Sequence, residues 1–110
     1  PYLVPSALTD WIDNLAAQMD AAASDSDKVL AICRQHITFE HIHPFPDGNG
    51  RVGRALMVYG CFLSGMTPIV IPVERRKEYI NYLNTEDLQG FTAFAEELQA
   101  AERRRIEAFS

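Results

Sequence analysis

Between two apolar segments with helical spacing the chain reads HPFPDGNGRVGR, from His43 to Arg54. Gly48 and Gly50 flank Asn49, so the backbone there is free to take left-handed angles and to turn successive N–H groups toward one point. The following helix begins at the same place and adds the free N–H groups of its first turn. Together they make an anion site, of which phosphate is the usual occupant. Arg51 and Arg54, three residues apart, share a helix face near that N-terminus and can fork onto further phosphate oxygens. A cation in this position costs about 0.3–1 kcal/mol against the helix dipole, and a bound polyphosphate reverses the sign. Asp47 would repel phosphate unless a divalent ion stood between them, and Mg2+ commonly takes one carboxylate plus phosphate oxygens. His43 can accept a proton near neutral pH, as a general base must.

Helices must position this loop. Leu8, Trp11, Ile12, Leu15 and Met19 recur on one face of a helix that starts near Pro5 or Ser6 and ends before the polar cluster Ser24 to Asp27. A second helix, capped by Asp25 or Asp27, buries Val29, Leu30, Cys33 and Ile37 and stops near Ile42, since the residue before Pro44 is pushed out of the helical region. After the loop, Val52, Ala55, Leu56, Tyr59, Phe62 and Leu63 mark a third helix closed by Ser64 and Gly65. Its small polar surface predicts that it is the central, most buried one. Ile69 to Val73 reads as an extended connector between prolines rather than a paired strand. A fourth helix is predicted from about Glu74 to Asn84 and a fifth from about Leu88 to Glu107, with Phe91, Phe94, Ala95 and Leu98 inward. The expected class is all-α, with the catalytic loop between two central helices and little or no strand.

The 110 residues, 47% hydrophobic and 23% charged, suit one compact domain. A net charge of −5 without a basic stripe excludes nucleic acid as the expected partner. Cys33 and Cys61 lack metal-site spacing and read as buried free thiols. Neither a signal peptide nor a membrane-spanning run is visible, which points to the cytosol and away from a membrane. The chain opens on Pro1, which leaves room for a segment upstream. His41 reads as a surface or loop-supporting residue, His36 as an ordinary helix residue, and Trp11, Phe91 and Phe94 as core.

The loop resembles the signature of the Fic family, HPFx(D/E)GNGRxxR, at every specified position. FEHIHPF, RALMVYGCFLSGM, TPIVIPVERRKEYINYL and GFTAFAEEL resemble the family as well, so the likeness covers most of the chain. It implies a Fic domain over 1–110 with ATP and Mg2+ as cofactors, transferring AMP to a Ser, Thr or Tyr hydroxyl of a target protein. On that likeness His43 is the general base and Asp47 the metal ligand. Gly48, Asn49 and Gly50 cradle the α- and β-phosphates, Arg51 neutralises the β-phosphate and Arg54 grips the γ-phosphate. Phe45 anchors the loop to the core. The adenine pocket falls to the helix after the connector, where Tyr79, Tyr82 and Asn84 stand.

Relatives of the Doc kind carry Lys where Gly50 stands and transfer the γ-phosphate, so Gly50 argues for attack at the α-phosphorus. Transfer of UMP, GMP or phosphocholine is the chemical alternative, and a non-catalytic nucleotide-sensing module is the alternative of another class. The inhibitory segment (S/T)xxxE(G/N) of many relatives has no match here: Thr92 and Glu96 are followed by Glu97, and Thr9 leads to Asp13 and Asn14. An inhibitory partner protein is one source of such restraint. Relatives carry a β-hairpin flap just upstream, which registers the target's backbone by strand addition, and no such hairpin is seen in this sequence.

Overall fold

The computed structural model describes residues 3–42 and 48–109. Its elements are α1 (Leu3–Ala21), α2 (Asp25–Ile42), α3 (Asn49–Leu63), a 3-10 turn (Val73–Arg75), α4 (Arg76–Thr85) and α5 (Leu88–Ala108), with no strand among the described residues. The all-α expectation holds, and Ile69 to Pro72 lies outside any helix, with Pro72 extended, while Val73, expected in the same connector, opens the 3-10 turn.

Local chemistry sets the helix ends. Ser24, rather than Asp25 or Asp27, caps α2: its Oγ accepts from the Asp27 amide at 3.2 Å. Asp27 reaches back to the Ala23 amide at 3.3 Å, so two otherwise orphaned donors are satisfied reciprocally. At the end of α3, Gly65 adopts φ 69°, its amide bonds the Phe62 carbonyl and the Met66 amide bonds the Cys61 carbonyl. That is a Schellman closure, which Gly alone enters without Cβ strain. The Asp87 side chain caps α5 through the Gly90 amide at 2.9 Å.

The central helix is α2, which packs against α1, α3 and α5. Val29, Ala31, Ile32, Cys33, Gln35, His36, Ile37 and Phe39 are all buried along it. This corrects the expectation for α3. Its buried residues are Asn49, Gly53, Met57, Gly60 and Cys61, while Ala55, Tyr59, Phe62 and Leu63 are exposed and Val52 and Leu56 half-buried. The physical reason lies in the two glycines. A Cβ at Gly60 would lie 3.2 Å from Ile32, and one at Gly53 would lie 3.0 Å from Phe39. Small residues let the α2 and α3 backbones approach, and the larger apolar residues are turned outward.

Trp11 and Leu15 of α1 reach the core, whereas Ile12 stays 49% exposed. The indole N–H of Trp11 donates to the Gln35 carbonyl at 2.5 Å, satisfying its buried polar edge. Phe91, Phe94, Ala95 and Leu98 of α5 all face inward as the spacing predicts. Cys33 and Cys61 are buried free thiols.

Candidate active site

The glycine-rich half of the motif forms the N-terminus of α3. Gly48 sits at φ 74°, ψ 9°, a left-handed geometry that a Cβ would strain, and it serves as the N-cap without a side-chain bond. The first bond into the helix runs from the Val52 amide to the Gly48 carbonyl at 3.0 Å. The amides of Asn49, Gly50 and Arg51 precede it and have no acceptor within the helix. Gly48 and Arg51 are exposed, Gly50 and Arg54 half-buried, and Asn49 is buried. No acidic residue lies in the first turn of α3, so positive potential from the helix end and the arginines is not cancelled there from within the helix.

Arg54 does not extend outward from its own turn. Its guanidinium folds back toward the helix start, close enough that a Cβ on Gly50 would stand 3.0 Å from Nη1. This is the direction in which helical side chains lean. The hydroxyl of Tyr79, from α4, is 2.6 Å from Nε2 of His36 on α2, so these two buried side chains join the two helices.

The environment of this chain of groups is apolar. His36, 1% exposed, lies with its ring 5.6 Å from that of Tyr79 and 5.7 Å from that of Phe91. Burial, reinforced by the nearby charge of Arg54, pulls the imidazole down to about 4, against a contribution from the Gly53 backbone. It is neutral at physiological pH. Burial, with the charge of Glu40, pushes the Tyr79 hydroxyl up to about 12, against the opposing pull of Arg54.

The expected site residues divide on this geometry. Gly48, Asn49, Gly50, Arg51 and Arg54 come together at one helix end. His43, Phe45 and Asp47 lie outside the described residues. Tyr79, expected in the adenine pocket, is 2% exposed with its hydroxyl 2.6 Å from His36 Nε2. Tyr82 packs on Phe94 and Phe91 with ring centroids at 5.3 and 6.3 Å. Asn84 is exposed near the end of α4. His41 donates from Nδ1 to the Ile37 carbonyl at 2.8 Å, and its Nε2 is 3.7 Å from Glu86 Oε1.

His36 is the residue that sequence reasoning passed over. Positions 29, 33, 36 and 40 follow one another by four, three and four, so His36 falls on the same face as Val29 and Cys33. That spacing was the available signal. A recess of about 460 Å3 opens elsewhere, between α1 and α3, lined by Trp11, Leu15, Leu56, Tyr59 and Leu63 among others and by none of the described motif residues. The described residues contain no group of three or more His, Cys, Asp or Glu able to hold a metal, and no helix long and apolar enough to cross a membrane.

Residues 1–61 match the profile of the Fic/DOC family. The chain is 33% identical to protein adenylyltransferase fic-1 of Caenorhabditis briggsae, over 98% of its own length and 22% of the relative's. The same identity and coverage hold for protein adenylyltransferase fic-1 of Caenorhabditis elegans. Over 54% of its length it is 40% identical to protein adenylyltransferase Fic of Drosophila melanogaster, covering 13% of that protein. The chain thus spans at most about a fifth of the length of these relatives. No solved structure matches it at a significant level.

Proposed function

Because this chain belongs to the Fic/DOC family, we propose that it is the catalytic core of a protein adenylyltransferase, which moves AMP from Mg-ATP to a Ser, Thr or Tyr hydroxyl and releases pyrophosphate. The observation that carries this reading is the α3 N-terminus. A left-handed Gly48, the first-turn amides and the folded-back guanidinium of Arg54 converge on one end of a helix that lacks an acidic first turn. Such an end favours an anion, of which phosphate is the usual occupant. The names of the relatives support the choice of ATP and of a protein acceptor.

The division of labour follows the motif. The amides from Gly48 to Gly50, with Asn49, hold the α- and β-phosphates, Arg51 neutralises the β-phosphate and Arg54 grips the γ-phosphate. His43 takes the proton of the target hydroxyl, whose oxygen attacks the α-phosphorus in line with the departing pyrophosphate. Mg2+ commonly takes one carboxylate plus phosphate oxygens. Asp47, immediately before Gly48, is the carboxylate of that set. When bound, Mg2+ offsets the charge that develops on the leaving phosphates. Asn84, exposed near the end of α4, is the polar candidate for contact with a nucleobase. The site asks for a soluble protein target, and cytosolic residence suits the two unpaired thiols; an inhibitory partner protein would supply restraint.

The test is transfer of label from ATP to protein in a lysate. Label from the α-phosphate, lost in His43→Ala, is the expected result. Label from the γ-phosphate would turn the reading to phosphoryl transfer, and competition by UTP, GTP or CDP-choline would reassign the donor. ATP binding without any protein product would leave a nucleotide-sensing module.

A further inference from the structure

We propose that the hydrogen bond between Tyr79 and His36 positions α4 against the phosphate-binding end of α3, and so sets how much affinity the site gains from the nucleoside over and above the triphosphate. The inference rests on the reading of α4 as the helix that meets the nucleobase.

α4 is thinly attached. Of its ten residues Tyr79 alone is buried. Contacts near its two ends run sideways to α5: Arg75, which precedes its first turn, ion-pairs with Glu97 and stands 4.7 Å over the Phe94 ring, and Tyr82 packs on Phe94 and Phe91. His41 of α2 and Glu86 at the end of α4 also face each other, but at 3.7 Å and with both side chains more than half exposed, so solvent screens that pair. The bond in the middle is short and dry. The Tyr79 hydroxyl is 2.6 Å from His36 Nε2, and the two residues are buried. Glu40 Oε1, 3.9 Å from the same nitrogen, is too far to compete for it. His36 also underlies the start of α3, where a Cβ at Gly53 would lie 3.1 Å from its Cε1. One imidazole thus separates α4 from the helix whose end holds the phosphates, and in a close-packed interior a bond of fixed length sets that spacing. A ligand that reaches both helices binds well when the spacing is fixed beforehand. His36 and Tyr79 act through the placement of α4 and are positioning residues.

Affinities of the full chain for Mg-ATP and for magnesium tripolyphosphate, which has the phosphates and no nucleoside, are measured by calorimetry for wild type, Tyr79→Phe, His36→Leu and the double variant. Each single variant strands one polar atom in the core; the double variant replaces both partners by apolar groups and removes that penalty. We expect all three to lose ATP affinity by about tenfold, the scale of one hydrogen bond, with tripolyphosphate affinity close to wild type. The melting temperature should fall in the single variants and recover in the double. A merely structural bond would return ATP affinity together with the melting temperature, and a Tyr79 hydroxyl that met nucleotide itself would keep ATP affinity in His36→Leu. The positioning role is overturned if any of the three variants keeps wild-type ATP affinity, or if both ligands weaken equally. If wild type binds ATP no more tightly than tripolyphosphate, the reading that α4 meets the base has failed, and the positioning role falls with it.

Discussion

Gly53 of α3 faces His36 of α2 so closely that a Cβ at 53 would lie 3.1 Å from the imidazole Cε1. The same Cβ would meet Glu40 Oε1 at 2.5 Å and Phe39 Cδ1 at 3.0 Å. The approach of these two helices therefore sets both the core and the floor beneath Arg54. Gly53→Ala gains about 1 kcal/mol of helix propensity. The overpacking it forces costs about 1–3 kcal/mol, and the neighbours cannot all give. The expected outcome is a net loss of stability, seen as a melting temperature lower by several degrees.

Gly48 is different in kind, because space is not its constraint. Nothing lies within 4 Å of a Cβ built there, yet φ is 74°. Gly48→Ala should cost roughly 1–2 kcal/mol from the left-handed backbone alone. If the loop relaxes to escape that strain, its amides turn away and ATP affinity falls as well. Thermal melts and nucleotide titration of the same variant read the two effects.

The buried imidazole makes stability depend on pH. His36 drops from 6.5 in the unfolded chain to about 4 when folded, chiefly through burial, so the unfolded state binds more protons in between. Its contribution is present above pH 6.5 and is lost as pH falls toward 4. At about 1.4 kcal/mol per pH unit, that window is worth roughly 3 kcal/mol. Urea melts between pH 7 and pH 4 should show a steeper fall for wild type than for His36→Gln, which has no proton to take up; equal slopes would refute the assignment.

Cys33 is 0% exposed, and burial pushes its thiol up to about 12. The thiolate is the reactive form. Cys33 should therefore resist alkylation by iodoacetamide at pH 8 in the folded protein and react within minutes in strong denaturant. Cys61, also raised by burial, should behave alike, so that mass spectrometry of the native protein finds neither thiol modified.

The sequence by itself determined the two ends of α3 and pointed to an anion there. Gly48 and Gly65 act through backbone angles that depend on no distant residue. The motif from His43 to Arg54 states its chemistry in consecutive residues, and the inward face of α5, with Phe91, Phe94, Ala95 and Leu98, follows from helical spacing alone.

Tertiary structure decided which helix is central and what stands behind the site. Hydropathy made α3 look central, because a glycine carries no apolar signal; only the meeting of two helices shows that Gly53 and Gly60 form the contact face and that Tyr59 and Phe62 are left outside. Likewise Tyr79 fits a pocket wall as well as a core position when read along its own helix. Its partner His36 is 43 residues away in the chain. A hydrogen bond across that distance exists only once α2 and α4 are brought together, and that bond holds the Tyr79 hydroxyl in the core.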